Sequence, residues 1–253
     1  MTITVDTLLA ELEELGHPQV RATYRRHGAD GPMFGLRLAD LDALVRRHRG
    51  PQAHELARAL WATGNLDAQL LAAKLGDPQQ SSSAELDRWA RACSWPMAVD
   101  IFVADFVIRS PLALDKAGRW RRSKAEYVGR AGWTLVAGLA RDAAIADEVF
   151  VACLAEIRRG IRSAANRKRE AMNTALIAIG CHRQALRDEA LAVADAIGPV
   201  EIDQGETNCE TPDARASIEK AAAHQLRQAK RAAKKKAAQK KVAKKAAKKK
   251  ARG

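Results

Sequence analysis

Apolar positions recur along the chain at steps of three and four residues, in short blocks punctuated by Gly, Pro and Asp, which is the spacing of amphipathic helices. "VDTLLAELEELG" reads as a first helix stopped by Gly16. "PQVRATYRRHG" reads as a second, with Pro18 in its first turn. "PQAHELARALWATG" and "NLDAQLLAAKLGD" meet at a Gly-Asn turn and form the clearest helical hairpin. The pattern continues through "SAELDRWARACS", "PMAVDIFVADFVIRS", "ALDKAGRWRRS", "KAEYVGRAGWTLVAGLAR", "AIADEVFVACLAEIRRGIRS", "NRKREAMNTALIAIG" and "RQALRDEALAVADAIG". Helix after helix joined by short turns predicts an all-α protein, an α-solenoid of antiparallel helix pairs with a concave surface for a long partner, with a compact irregular bundle as the alternative because the sequence repeat is weak.

Within "SWPMAVDIFVADFVIRS" the residues Val99, Phe102, Val103 and Phe106 fall on one helical stripe. At about 100° per residue, Asp100 lies on the margin of that stripe and Asp105 points away from it. A carboxylate there is either a structural acid paired with a nearby Arg or a charge held in place for chemistry.

Composition supports the helical reading. Hydrophobic residues make up 47% of the 253 but aromatics only 4%, and Ala, Leu, Arg and Glu dominate over β-branched runs. The four cysteines are far apart in sequence, with no C-x-x-C pair, which suits reduced thiols rather than a zinc site or a disulfide framework. No metal or other cofactor is expected. The acidic amphipathic start does not resemble a signal peptide, and no apolar run predicts a membrane span. The expected location is cytoplasmic and nucleoid-associated, and the expected state a monomer.

The net charge of +13 is unevenly placed. Residues 224–253 contain 14 Lys and Arg and no acid, leaving residues 1–223 near neutrality with 29 bases and 30 acids. Within that body, residues 116–187 hold 15 bases against 6 acids. Such segregation is what an electrostatic docking surface requires. Three units follow: a helical DNA-binding domain over 1–204, an irregular segment with the start of a C-terminal helix over 205–223, and a Lys/Ala-rich tail over 224–253. Self-repulsion is expected to leave the free tail disordered, with helix formed on a polyanion. Its composition suits phosphate neutralisation, so nucleic acid is the expected partner and a membrane is not.

The basic residues recur near helix ends: Arg119, Arg121, Arg122 and Lys124, then Arg158, Arg159 and Arg162, then Arg167, Lys168 and Arg169. Stacked, they predict a stripe that grips the DNA phosphate backbone rather than base edges.

In order along the chain, "RRHG…FGLRLADLDALVRRH", "ALWATGNLDAQLLAAKLGD", "SWPMAVDIF" and "SKAEYVGRAGWTLVAGLA" resemble the AlkD-like DNA alkylation-repair family over about residues 15–200. The resemblance implies HEAT-like helical repeats and hydrolytic removal of cationic alkylated bases such as 7-methylguanine. It implies that Asp100, in "WPMAVD", faces the lesion and that Arg130, in "EYVGRAGW", holds the backbone. Trp95, Tyr127 and Trp133 are the aromatic residues expected to line the lesion. The chemistry is coherent: loss of a cationic base leaves an oxocarbenium-like sugar that a fixed carboxylate stabilises. Two positions depart from the family pattern. Pro96 stands where a second Trp precedes the Asp, and Thr174 or a neighbour stands where a further site Trp is expected. Relatives lacking such aromatics include binders of branched DNA that excise nothing. The resemblance therefore leaves a glycosylase and a non-catalytic architectural or damage-sensing protein, and fold class alone would also admit a protein scaffold. "TNCETPDA" resembles a segment of one branch of the family, with no role attached.

Overall fold

The computed structural model describes the backbone of residues 3–250 and side chains as far as residue 233. Its helices are α1 (Val5–Glu14), α2 (Pro18–Arg26), α3 (Leu38–His48), α4 (Ala53–Ala62), α5 (Leu66–Leu75), α6 (Ser83–Ala92) and α7 (Pro96–Ile101). They continue with α8 (Ala113–Trp120), α9 (Glu126–Leu139), α10 (Asp147–Gly160), α11 (Asn166–His182), α12 (Arg187–Ile197) and α13 (Ala214–Lys250). The described residues include no strand. Turns end where the sequence punctuates: Asn65 caps α5 by accepting from the amide of Ala68, and Gly64 takes a positive φ of 71° in the preceding turn.

Two helices are central. Every residue of α5 except Lys74 is buried, Asp67 and Gln69 included. Such all-round burial fits a helix packed on every side. The carboxylate of Asp67 accepts from the amides of Phe34, Gly35 and Leu36 at 2.7, 2.8 and 2.9 Å, which fixes the loop between α2 and α3. The second central helix, α9, lies between α8 and α11, and two glycines let its neighbours approach. A Cβ on Gly132 would stand 2.1 Å from the backbone nitrogen of Arg121, and one on Gly129 would stand 2.7 Å from Cδ of Lys168. Cross-links set the register: Lys116, fully buried, donates to Ser83 and to Asp87 at 2.6 Å, tying α8 to α6.

The block beginning at Pro96 is not one regular helix. α7 spans six residues and widens into a π turn over Phe102–Phe106, followed by a 3₁₀ turn over Val107–Arg109. Val99, Phe102, Val103 and Phe106 are all buried, so the predicted stripe holds. The wide turn keeps Phe102 and Phe106 both in the core, their ring centroids 6.0 Å apart, and such turns recur at functional sites.

Beyond α12 the chain crosses residues 199–213 without regular structure, then enters α13. Ile218 is buried and seats that helix against Gly180 and Ala190. The backbone of α13 is helical through Lys250. Ala and Lys are strong helix formers, and the docked first turns supply the costly nucleus. The tail's Lys side chains from residue 234 onward lie outside the described residues.

Candidate functional site

One cleft of about 390 Å³ gathers the residues singled out at Asp100. It is bounded by Thr23 and Tyr24 of α2 and His27 just after it, by Trp95 before α7 and Pro96, Met97 and Asp100 within it, and by Arg130 of α9. Arg167 and Glu170 of α11 and Gln204, Cys209 and Glu210 of the irregular segment complete it.

The short α7 begins at Pro96, with Trp95 extended at φ −151° just before it. That entry turns Asp100 to the cleft while Val99 stays in the core. The Asp100 side chain is 46% exposed, in agreement with its place on the stripe margin. Asp105 goes the other way, to Lys74 at 2.9 Å.

Arg130 is buried and its guanidinium faces α7 and α11 at once. Nε donates to one oxygen of Asp100 at 3.1 Å and Nη2 to the other at 2.8 Å. Nη1 donates to Glu170 at 2.6 Å and to the carbonyl of Arg167 at 3.2 Å. Burial alone works against the cation, but Asp100 and Glu170 more than offset it and raise its pKa. Four of its five N–H groups are thus directed to protein acceptors. Asp100 is therefore both paired and open to the cleft, and the two alternatives left by the sequence meet in one geometry.

The aromatic expectations divide. Trp95 lines the cleft but is fully buried, its ring 5.1 Å from Tyr24, so it forms a wall rather than an open platform. Tyr24, which the sequence reading missed, stands beside it and donates to the carbonyl of Leu36 at 2.6 Å. Burial, with the nearby Asp67 and Asp40, pushes its hydroxyl up to about 12. Trp133 is corrected: it faces the core side of α9 and is fully buried, outside the cleft. Tyr127 is half-buried and also outside the lining. Its helix position put it near Arg130, but only tertiary packing decides which side of α9 meets α7. Thr174 is exposed and bonds its own helix at Glu170.

The segment 199–213 supplies what the aromatic positions do not. It is held to α11 by a reciprocal pair, Asn166 Nδ2 to the carbonyl of Asp203 at 2.8 Å and the Asp203 amide to Asn166 Oδ1 at 2.9 Å. Arg167 donates to Gln204 at 2.9 Å, Arg169 to the carbonyl of Glu201 at 3.1 Å, and Asn173 to the carbonyl of Pro212 at 2.9 Å. Pinned in this way, the strap places Cys209 and Glu210 at the cleft, and "TNCETPDA" acquires a position. Glu201, Asp203, Glu206, Glu210 and Asp213 make it acidic, with no Lys or Arg. A shortage of helix formers marks the strap as irregular in sequence, but nothing in it announces the cleft.

The predicted basic stripe is also redistributed. Arg121 is buried and paired with Glu156 at 2.9 Å. Arg162 donates to the carbonyl of Ile197, Arg169 to those of Ala164 and Glu201, and Arg167 to Glu170 and Gln204. Lys168 crosses Gly129 to the carbonyl of Ser123, and burial lowers its pKa. These cations are tied to the fold, Arg162 from an exposed position. Arg119, Arg122, Lys124, Arg158 and Arg159 remain exposed. Arg119 has only a loose 3.8 Å contact with Asp115, and the other four have no ion pair among the described residues. The Arg121–Glu156 bridge joins α8 to α10 between them.

A family described as "DNA alkylation repair enzyme" matches residues 8–224. The uncharacterized protein Lin0241 of Listeria innocua is 29% identical over 223 residues, covering 87% of this chain and 97% of that protein. Lmo0209 of Listeria monocytogenes, also uncharacterized, is 28% identical over the same shares. A solved structure described as "a new family of proteins related to the HEAT-like repeat DNA glycosylases with affinity for branched DNA structures" is 27% identical, with a TM-score of 0.78. It covers 86% of this chain, which covers 93% of it. The all-α stack is accordingly a HEAT-like repeat fold.

Proposed function

This chain belongs to the family of DNA alkylation repair enzymes, and on that premise we propose that it binds DNA by its phosphate backbone and presents Asp100 to the bound strand. The observation that carries the reading is the exposed Asp100 carboxylate clamped by a buried Arg130 at the edge of the cleft. Exposed Arg119, Arg122, Lys124, Arg158 and Arg159 and the Lys-rich tail supply the phosphate contacts. The protein acts as a monomer in the cytoplasm, on the nucleoid. Where a cationic purine such as 7-methylguanine enters the cleft, its glycosidic bond breaks with the electron pair leaving on the base. Asp100 stabilises the oxocarbenium-like sugar while water adds to it and releases its proton to solvent. The base leaves as a neutral molecule, so no strong general acid is required.

A second reading has a specific observation behind it. The cleft offers no open aromatic face, because Trp95 is fully buried and Trp133 lies in the core. That favours a non-catalytic protein that binds branched or distorted DNA; the relative of known structure is described as having affinity for branched DNA structures. One set of measurements separates the two. Release of 7-methylguanine from duplex DNA, lost in Asp100→Asn, supports excision, and release no greater than that variant gives removes it. Tighter binding to a three-way junction than to duplex, unchanged in Asp100→Asn, supports the second reading. Removing residues 224–253 should weaken binding and flatten its salt dependence in either case, and unchanged affinity would remove the tail from the interface.

A further inference from the structure

We infer that the exposed arginines of α2 form a second phosphate-binding lip, beside the cleft. Thr23 and Tyr24 of α2, with His27 just after it, line the cleft that Arg167 and Glu170 of α11 also line. The rest of α2 faces outward and carries Arg21, Arg25 and Arg26, all exposed. The helix "PQVRATYRR" contains no acid, so three cations stand in nine residues with nothing on their own element to balance them.

The fold makes almost no use of these charges. Several arginines elsewhere are held by carboxylates: Arg58 by Glu85, Arg121 by Glu156, Arg130 by Asp100, Arg183 by Asp147 and Arg215 by Asp195. Arg21, Arg25 and Arg26 have no ion pair among the described residues, and Arg26 has one long contact, 3.3 Å to the Thr23 hydroxyl. The helix dipole accounts for cations in the last turn, where Arg25 and Arg26 sit. It does not account for Arg21, in the first half of α2. Arg21 and Arg25 are four residues apart and share one side of the helix, about 6 Å apart along its axis.

Arg26 stands at the margin of the cleft. Its hydrogen bond goes to Thr23, a lining residue, and a Cβ on Gly205 of the strap would lie 3.7 Å from its carbonyl oxygen. The strap is acidic and repels a polyanion, so phosphate binding falls to the cations beside it, and those of α2 reach its edge at Arg26. Guanidinium groups suit the partner, because each offers a fork of donors to phosphate oxygens without reading sequence. This inference rests on the DNA reading above and adds a surface to it.

The test is the salt dependence of duplex binding by the full chain, measured by fluorescence anisotropy. Each lost phosphate contact lowers the slope of log K against log salt by about 0.9. Arg25→Gln with Arg26→Gln should therefore lower it by about 2, and Arg25→Lys with Arg26→Lys should restore it. Arg46→Gln with Arg49→Gln removes the same charge from exposed positions at the end of α3 and should leave the slope unchanged. An α2 slope equal to wild type overturns the inference, as does an equal fall in both pairs, which would report net charge alone. If the wild-type chain binds no duplex at low salt, the DNA reading fails and the lip fails with it. Thermal unfolding of each variant checks that the substituted residues, all exposed, leave the fold intact.

Discussion

Arg130 and Asp100 meet as a two-point ion pair across α9 and α7, at 3.1 and 2.8 Å, while the same guanidinium reaches Glu170 on α11. One buried cation thus fixes three helices around the cleft, and a half-exposed carboxylate is held at its edge without free rotation. The pairing is asymmetric. Asp100 retains access to solvent, whereas Arg130 has exchanged nearly all of its water for protein acceptors.

That asymmetry separates two variants. Asp100→Asn removes an exposed charge and leaves Arg130 with Glu170, so it should cost about 1 kcal/mol of stability or less. Arg130→Met strands Asp100 and Glu170 without their shared cation and should cost about 3 kcal/mol. Urea unfolding of both proteins tests the order. Equal losses would mean that Glu170 does not compensate.

Close packing at α9 gives a second contrast between chemically identical changes. Gly132→Ala would force a Cβ to within 2.1 Å of the Arg121 backbone, which cannot move without shifting α8. A loss of about 3 kcal/mol is expected, at the upper end for an overpacked site. Gly129→Ala meets only the flexible Lys168 side chain at 2.7 Å and should cost about 1 kcal/mol or less. Melting temperatures of the two variants would show whether backbone contact is the deciding difference.

Acid sensitivity should centre on His54. It is buried beside Phe106, its Nε2 3.8 Å from a Glu85 oxygen, and neither ring nitrogen has a hydrogen-bond partner among the described residues. Burial lowers its pKa, as does the charge of Arg58, while Glu85 and Asp77 act in the opposite direction. A folded-state pKa below the unfolded value of about 6.5 means that the unfolded chain binds the proton more readily. His54 therefore favours the fold fully above pH about 6.5, and that contribution is lost as the pH falls from there through the folded pKa. His54→Phe should lose less stability than wild type between pH 7.5 and 5.5 in thermal melts. Parallel curves would show that other groups govern the acid limb.

The residues differ in how readable they were. The apolar stripe Val99, Phe102, Val103 and Phe106, with Asp100 at its edge, could be read from spacing alone, because helical geometry assigns faces within one element. The resemblance placed Asp100 and Arg130 in the same family site, and the structure brings them together. Trp133 and Tyr127 were misplaced because periodicity shows that α9 has two faces but not which neighbour covers each. The basic stripe failed in part for the same kind of reason. Arg121, Arg162, Lys168 and Arg169 look like free cations in sequence, but carboxylates and carbonyls 32 or more residues away, or at the helix ends, bind them. Arg21, Arg25 and Arg26 were passed over because α2 lies outside the segment where bases outnumber acids most.

By itself the sequence determined the helical class, the element order, the segregation of charge and the position of Asp100 on its own helix. These are local properties, set by periodicity, propensity and composition within a few turns. Tertiary structure alone decided that Arg130 clamps Asp100, that the acidic strap enters the cleft, and which arginines are spent on the fold. Each of those depends on groups distant in the chain meeting within hydrogen-bonding distance, where burial and pairing, rather than residue type, set what a charge can do.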